Sequence, residues 1–187
     1  MTLFDTVYSE VLKLEGGSTY TNDKADRGGK TRYGITEALA RRHGYTGDMK
    51  DLPEDFARGV YKEEFWDGNR LDEIAGLSKS VAREVYDSGV NVGPARAARW
   101  LQASLNIFNY GPGAHPDLVV DGRLGRASLN ALRDYLAKRG SEGVTVLLRA
   151  LNGYQFAHYA NLAEADQSQR KFTFGWVSKR VQGDFHE

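Results

Sequence analysis

Apolar residues recur at helical spacing along most of the chain, and the first such stretch is the clearest. Over residues 3–14 the apolar side chains fall on one helix face, with Thr2 placed to cap the start and Gly16 and Gly17 to end it. The same pattern predicts helices over residues 37–43, 54–66, 78–91, 94–106, 125–138 and 142–164, and a last helical element over 172–181. It therefore predicts a mainly α-helical protein.

The stretch after the first helix breaks this pattern. Residues 14–36 read LEGGSTYTNDKADRGGKTRYGIT and contain almost no apolar side chain before Tyr33 and Ile35. Its many Gly, Asp and Asn residues are typical of turns, so we expect a short β-hairpin with its turn at residues 26–29. Thr36 is then the expected N-cap of the next helix. The predicted fold class is mainly α with a small β-hairpin.

Two helical groups are expected, because the segment NYGPGAHPD at residues 109–117 holds two of the four prolines and reads as a loop. We expect residues 1–77, with the polar ribbon, to form one lobe and residues 78–187 a second, helical lobe. No linker-like segment precedes residue 78, so the two lobes are expected to make one fold.

Composition narrows the classes of function. The 25 basic and 25 acidic residues give no net charge, so nothing favours nucleic acid as a partner. There is no cysteine, which excludes disulfides and a cysteine nucleophile. The four histidines have no metal-ligand spacing, so we expect no metal site. No run approaches the roughly 18 apolar residues that a membrane span requires, so no stable membrane insertion is expected.

The polar ribbon also carries the residues best suited to chemistry. Glu15 stands in the last predicted turn of a helix, where the macrodipole opposes ionisation, and partial burial would raise its pKa further. A carboxyl that stays protonated near neutral pH suits a general acid. Asp23 or Asp26 could supply the second carboxylate of a glycosidase, and Thr31 could hold a water. The same residues also fit a solvated helix end and an ordinary turn.

The order of residues in this ribbon resembles a known family. EGG, ND and ADRGGKTRYGIT are similar to the opening motif of glycoside hydrolase family 108, whose N-acetylmuramidases occur as phage endolysins and as bacterial muramidases linked to protein secretion. Two extra residues stand between Gly17 and Asn22, so we expect the strand there to bulge or lengthen. The matching positions are Glu15, Asn22, Asp23, Asp26, Gly28, Gly29, Thr31, Gly34, Ile35 and Thr36.

Later segments resemble the same family. VYDSGVNVGPARAARWLQASLN, VDGRLGRASLNAL and the closing FTFGWVSKRV are similar to its C-terminal region, which is described as a predicted peptidoglycan-binding domain. The resemblance covers nearly the whole chain. It implies a lysozyme-like fold with two lobes and a cleft between them.

The resemblance implies a peptidoglycan hydrolase that cleaves the β-1,4 bond between N-acetylmuramic acid and N-acetylglucosamine. Its partner is then the glycan strand of peptidoglycan, no cofactor is needed, and a monomer is expected. Glu15 is implied as general acid and Asp26, with Thr31, as the group that positions and activates water; Asp23 is the reserve residue. Because Thr31 could hold a water that a direct nucleophile would not require, we expect the reaction to invert the anomeric configuration.

The expected setting is phage lysis. The N-terminal residues have no basic start, long apolar run or small-residue cleavage site, which favours synthesis in the bacterial host cytoplasm without a signal peptide. Holin-like release would then bring the enzyme to the cell wall in the periplasm. The alternatives are a bacterial muramidase that assists protein secretion, and a non-catalytic module that binds the wall.

Asp23 and three further residues are predicted to bind substrate. Asp87 and Asn91 are four apart on one helix face and match the family pattern, although neighbouring groups could satisfy their hydrogen bonds equally well. Tyr33 could stack on a sugar ring or anchor the core. The tryptophans are expected in the core rather than on a ligand: Trp66, Trp100 and Trp176.

Overall fold

A computed structural model describes residues 1–14, 16–22, 29–111 and 116–181 of the chain. Helices dominate the described residues, so the prediction of a mainly α protein with a small β-element is confirmed. The elements are α1 (Leu3–Leu14), β1 (Tyr20–Thr21), β2 (Thr31–Arg32), β3 (Ile35–Thr36), α2 (Glu37–Arg42), α3 (Glu54–Tyr61), α4 (Leu71–Ala75), α5 (Lys79–Val92), α6 (Pro94–Ile107), α7 (Arg126–Ala165) and α8 (Arg170–Arg180), with 3₁₀ turns at Met49–Asp51 and Gln167–Gln169 and a π-helical turn at Lys62–Asp67.

The chain divides into two compact units. Unit 1 is Met1–Trp66 and holds α1, the three strands, α2 and α3; unit 2 is Asp67–Glu187 and holds α4 to α8. The predicted lobe boundary after residue 77, and the prediction that the lobes make one fold, stay predictions. No helix in the described part of the chain is long and apolar enough to span a bilayer.

The first helix begins at a reciprocal cap. The Thr2 hydroxyl accepts a hydrogen bond from the Asp5 backbone N–H at 3.2 Å, and the Asp5 carboxylate accepts one from the Thr2 backbone N–H at 2.8 Å. This arrangement is a capping box with Asp at the third helical position. It confirms Thr2 as the N-cap.

The core of unit 1 contains a cluster of aromatic rings. Phe4 lies 5.8 Å from Tyr8 and 5.5 Å from Trp66, measured between ring centroids, and Tyr8 lies 5.4 Å from Tyr61. All four side chains are buried. Edge-to-face and offset contacts of this kind add to the free energy gained from burial alone. They fix α1 against the segment that ends unit 1.

The sheet is antiparallel in the order β1-β2-β3. The β1–β2 pairing agrees with the predicted hairpin, but the third strand was not predicted. Between β2 and β3, Tyr33 and Gly34 have φ values of 52° and 71°, which makes a two-residue type I′ turn. Tyr is an unusual residue in this conformation, and its presence is why the turn was missed.

Two other local predictions need correction. The helix predicted over residues 54–66 is α-helical only to Tyr61 and continues as a π-helical turn. Trp66, which the sequence placed in the core, is the fully buried ring of that turn. Helix α4 was missed because five residues are too few to show a period. Thr36 does cap α2, since its hydroxyl accepts from the Leu39 N–H at 3.3 Å.

Unit 2 is a helical assembly around α5, α6 and α7. Ser78 caps α5 by accepting from the Val81 N–H at 3.3 Å. Gly140, with φ of 59° and ψ of −148°, breaks α7 into two helical parts, which agrees with the separate helices predicted on either side of it. The principal buried apolar side chains are Val81, Val85, Tyr86, Leu101, Leu105, Leu132, Leu147 and Leu151.

Candidate active site and substrate-binding residues

The three predicted carboxylates, Glu15, Asp23 and Asp26, lie outside the described residues, as does most of the predicted turn at residues 26–29. The described residues nearest to them in the chain are the end of α1 before position 15, and strands β1 and β2 on either side of residues 23–28.

Helix α1 ends in a defined motif. The Gly17 N–H donates to the Leu12 carbonyl at 2.8 Å and the Gly16 N–H donates to the Lys13 carbonyl at 3.4 Å. This pair of bonds is a Schellman motif, and the φ of 92° at Gly16 supplies its left-handed residue. The predicted stop at the two glycines is therefore confirmed. It fixes the path of the chain on both sides of position 15.

Thr31 stands in the middle of a row of threonines. It pairs directly with Thr21 on β1 and with Thr36 on β3. Residues that pair directly across an antiparallel sheet share a face, and Ile35, which pairs in the neighbouring row, is 1% exposed. The threonine row therefore lies on the face away from the buried Ile35. The Thr31 hydroxyl donates to the Gly29 carbonyl at 3.3 Å.

Tyr33 is held inside unit 1. Its side chain is buried, its ring lies 5.3 Å from the Arg32 guanidinium carbon, and its carbonyl accepts from the Tyr61 hydroxyl at 3.1 Å. These contacts favour the core-anchor interpretation of the two that the sequence left open. Sugar stacking by Tyr33 stays a prediction.

Asp87 and Asn91 have partners within unit 2. The Asp87 carboxylate accepts from the buried Arg180 guanidinium at 2.7 Å, and the Asn91 side-chain carbonyl accepts from the Tyr159 hydroxyl at 2.7 Å. Both contacts join α5 to helices that follow much later in the chain. They give each side chain a structural role, and the predicted role in binding substrate stays a prediction.

One perturbed carboxyl was missed from sequence. Burial is the main cause, and the negative charge of Asp87 the second, of the rise in the pKa of Glu84 to about 8. The Ser88 hydroxyl donates a hydrogen bond to the Glu84 carboxyl group at 3.2 Å. Burial also raises the pKa of Asp87, although the Arg180 guanidinium opposes that rise. The only sequence signal was the spacing of two acids three apart on one helix.

Glu84 has the protonation state of a general acid, yet its surroundings favour a structural role. Perturbed pKa values arise in structural ion-pair networks as well as in active sites. Glu84 shares its environment with Asp87, Arg180 and the buried Asn152, all of which belong to the packing of α5, α7 and α8. The contribution of Glu84 and Asp87 to the stability of unit 2 therefore depends on pH.

Comparisons with known proteins identify both parts of the chain. Residues 8–93 match the family Glycosyl hydrolase 108, and residues 96–181 match the family Predicted Peptidoglycan domain. The chain is also similar to a solved structure described as the structure of Brucella abortus SagA, with 26% sequence identity and a TM-score of 0.70. That alignment covers 95% of this chain and 88% of the other. No curated protein matches the chain significantly.

The two matched regions adjoin and together span most of the chain. The first contains Glu15, Asp26 and Thr31, and the second begins at the start of α6 and extends through α8. The structural similarity agrees with the predicted lysozyme-like, mainly helical fold. Over residues 8–93 the chain is therefore similar to glycoside hydrolase family 108, a family of peptidoglycan hydrolases, and over residues 96–181 it is similar to a predicted peptidoglycan domain.

Proposed function

We propose that the protein is an N-acetylmuramidase, a lysozyme that cleaves the β-1,4 bond between N-acetylmuramic acid and N-acetylglucosamine. The observation that carries this proposal is the family 108 match over residues 8–93, which includes Glu15. The Schellman motif formed by Gly16 and Gly17 adds support, because Glu15 directly precedes these two glycines in the sequence and a helix end was predicted there.

In the proposed reaction Glu15 protonates the glycosidic oxygen as the bond to the anomeric carbon breaks. A water attacks that carbon from the opposite face and loses a proton to Asp26. The Thr31 hydroxyl already donates its hydrogen to the Gly29 carbonyl, so its oxygen is left to accept. A water that donates one hydrogen to Thr31 and the other to Asp26 has a lone pair directed away from both. Asp23 is the reserve candidate for the base.

This arrangement leads us to propose inversion of the anomeric configuration. In an inverting enzyme the two carboxyls stand roughly 6.5–9.5 Å apart so that a water fits between them, whereas a retaining enzyme brings them to roughly 5–5.5 Å. A hydroxyl such as that of Thr31, on the sheet face away from the core, suits a site that holds water. If a carboxylate attacked the sugar directly, no water would need to be held at that step, and the Thr31 hydroxyl would have no such role.

The biological role that we propose is lysis of a host cell by a phage endolysin. A bacterial muramidase that loosens the wall for secretion would use the same residues, and genomic neighbours would separate the two roles. A module that only binds the wall is a rival of a different class, supported by the predicted peptidoglycan domain over residues 96–181.

The products of digestion test the proposal. Purified peptidoglycan should yield fragments with N-acetylmuramic acid at the reducing end, identified by mass spectrometry after borohydride reduction. Proton NMR of freshly released ends should show the α-anomer first. New N-acetylglucosamine ends, anhydro ends or an absence of new ends would contradict the muramidase assignment, and an initial β-anomer would contradict inversion alone.

A further inference from the structure

A groove runs between α6 and α7 in unit 2. Its walls are two matching stripes, each at positions i, i+3, i+4 and i+7 of a helix, which is the spacing that places four side chains on one face. Its volume is about 400 Å³, within the roughly 300–1,000 Å³ typical of small-molecule sites. The lining residues are Arg96, Arg99, Trp100 and Ala103 from α6, Tyr154, Ala157, His158 and Asn161 from α7, and Val120 from the loop between them.

The floor of the groove is aromatic. The rings of Trp100 and Tyr154 are stacked with 6.1 Å between centroids and 10° between planes, and His158 lies 6.1 Å from Trp100. Trp100 retains only 9% exposure, so the packing holds its ring in place. Val120 is 42% exposed and adds an aliphatic surface at the edge. Small apolar groups of a ligand could therefore pack against these rings and against Val120.

The loop that carries Val120 is held firmly. The side chain of Gln102, which is 2% exposed, accepts from the Gly122 N–H at 2.9 Å and donates to the Asp121 carboxylate at 2.9 Å. A Cβ at Gly122 would lie 2.7 Å from the Ala95 carbonyl oxygen, so the loop approaches α6 as closely as glycine allows. The edge of the groove is therefore preorganised.

The charge of the groove is positive. None of its lining residues is acidic, and Arg96 and Arg99 are both exposed. One Arg96 Nη lies 3.2 Å from the His158 Nε2. Burial, and then the neighbouring Arg96, lower the pKa of His158, so the imidazole is neutral near pH 7. Within the described residues, Arg99 has neither an ion pair nor a hydrogen-bond partner for its guanidinium.

We propose that this groove binds the peptide stem of peptidoglycan. The stem carries free carboxylates, which the guanidinium groups of Arg96 and Arg99 can bind with two parallel hydrogen bonds each. Its alanine methyl groups would contact Trp100 and Tyr154. The glycan backbone carries no comparable density of negative charge, so the arginines select the stem. The inference deepens the proposed function by giving unit 2 a recognition site for a different part of the same polymer.

A free stem tetrapeptide, released from the wall by an amidase and carrying no sugar, tests this directly. Binding to the full-length protein is measured by isothermal titration calorimetry at low salt. Arg99→Glu should weaken binding at least tenfold and Arg96→Gln by a smaller factor. Arg149→Glu is the matched control, because Arg149 is an exposed arginine of α7 that does not line the groove. It should change affinity by less than about twofold.

Tryptophan fluorescence gives an independent reading. Stem binding should change the emission of the wild-type protein, and the change should disappear in Trp100→Phe while the fold, checked by circular dichroism, is retained. No binding of the tetrapeptide, equal binding by Arg99→Glu, or preferential binding of a stem-free chitooligosaccharide at the groove would overturn the proposal. Because the tetrapeptide has no glycosidic bond, its binding can succeed or fail independently of the muramidase reaction.

Discussion

Within the described residues, the buried side chains of unit 1 are all hydrophobic, whereas the interior of unit 2 contains charged and amide side chains as well. The first interior contains the cluster of Phe4, Tyr8, Tyr61 and Trp66. In unit 2 the buried side chains include Arg180 and Asn152 as well as leucines and valines. Rings keep their contacts at any pH, but a buried carboxyl changes its charge. The comparison therefore predicts that stability responds to pH chiefly through unit 2.

The pKa shifts in the two units support the same prediction. In unit 1 the Arg42 and His43 side chains, acting against burial, lower the pKa of Glu64, and burial raises that of Tyr8 to about 12. Both move away from neutrality. In unit 2, burial moves the pKa of Glu84 to about 8 and lowers that of His158, which brings Glu84 into the neutral range.

The largest expected effect is loss of folding in an isolated fragment. Residues 1–77 expressed alone should be unfolded or should aggregate, because a chain of about this size buries only roughly 60% of its surface and is marginal without a partner. Circular dichroism and thermal melting measure this. A soluble fragment that melts cooperatively and cleaves peptidoglycan would show that the predicted first lobe folds on its own.

Truncation of the unit 1 core should have the next largest effect. Trp66→Ala removes a fully buried ring and should lower the free energy of unfolding by about 3–5 kcal/mol. Phe174→Ala, at a ring that is 84% exposed, is the matched control and should change it by less than about 0.5 kcal/mol. Denaturant titration gives both values, and equal losses would contradict the aromatic core of unit 1.

Glu84→Gln should change the pH dependence of stability. The folded pKa of about 8 lies above the usual value of 4.5, so between these values the folded state holds a proton that the unfolded state lacks. The wild-type free energy of unfolding should therefore fall as the pH rises from 5 to 9, by on the order of 1–3 kcal/mol.

The glutamine variant mimics the protonated acid and should lose most of that slope, leaving the smaller part that Asp87 contributes in the same direction. Urea unfolding at pH 5, 7 and 9 measures the slope. Glu164→Gln, at an exposed glutamate of α7, is the control and should keep the wild-type slope. A wild-type slope in Glu84→Gln would place the pH response elsewhere.

The smallest effect is expected in the threonine row. Thr31→Ala should lower kcat about tenfold with little change in KM, because a loosened water matters chiefly in the transition state. Thr21→Ala, at the exposed partner of Thr31 on β1, should leave both constants within about twofold. Steady-state kinetics on soluble glycan fragments measures both constants. An effect confined to KM would show that Thr31 binds substrate instead of positioning water.

Sequence reasoning succeeded where structure is set by local pattern. The ends of α1, the caps at Thr2 and Thr36, and the break of α7 at Gly140 follow from residues close in the chain. It failed where the cause is tertiary or the element very short. Tyr33 adopts a left-handed turn without being a turn residue, and α4 has too few residues to show periodicity.

For the candidate site, the sequence predicted the residues but not their contacts. The family motif pointed to Glu15 and Thr31, but no local signal could show that Thr31 would be flanked by a threonine on each neighbouring strand. Nor could it show that Asp87 would meet Arg180, 93 residues further on. The stripes of the groove are visible in sequence as two helical faces, and only the packing of α6 on α7 brings them together.

The central claim is that the first part of the chain cleaves the glycan strand and the second part binds the protein to the cell wall. The most direct test measures reducing-end release and wall co-sedimentation together for full-length Glu15→Gln, with Glu54→Gln, at an exposed glutamate of α3, as control. The account predicts that Glu15→Gln, folded by circular dichroism, sediments with the wall like the wild type but releases ends at least 100-fold more slowly, within the range of general acid catalysis. Release at the wild-type rate would contradict it.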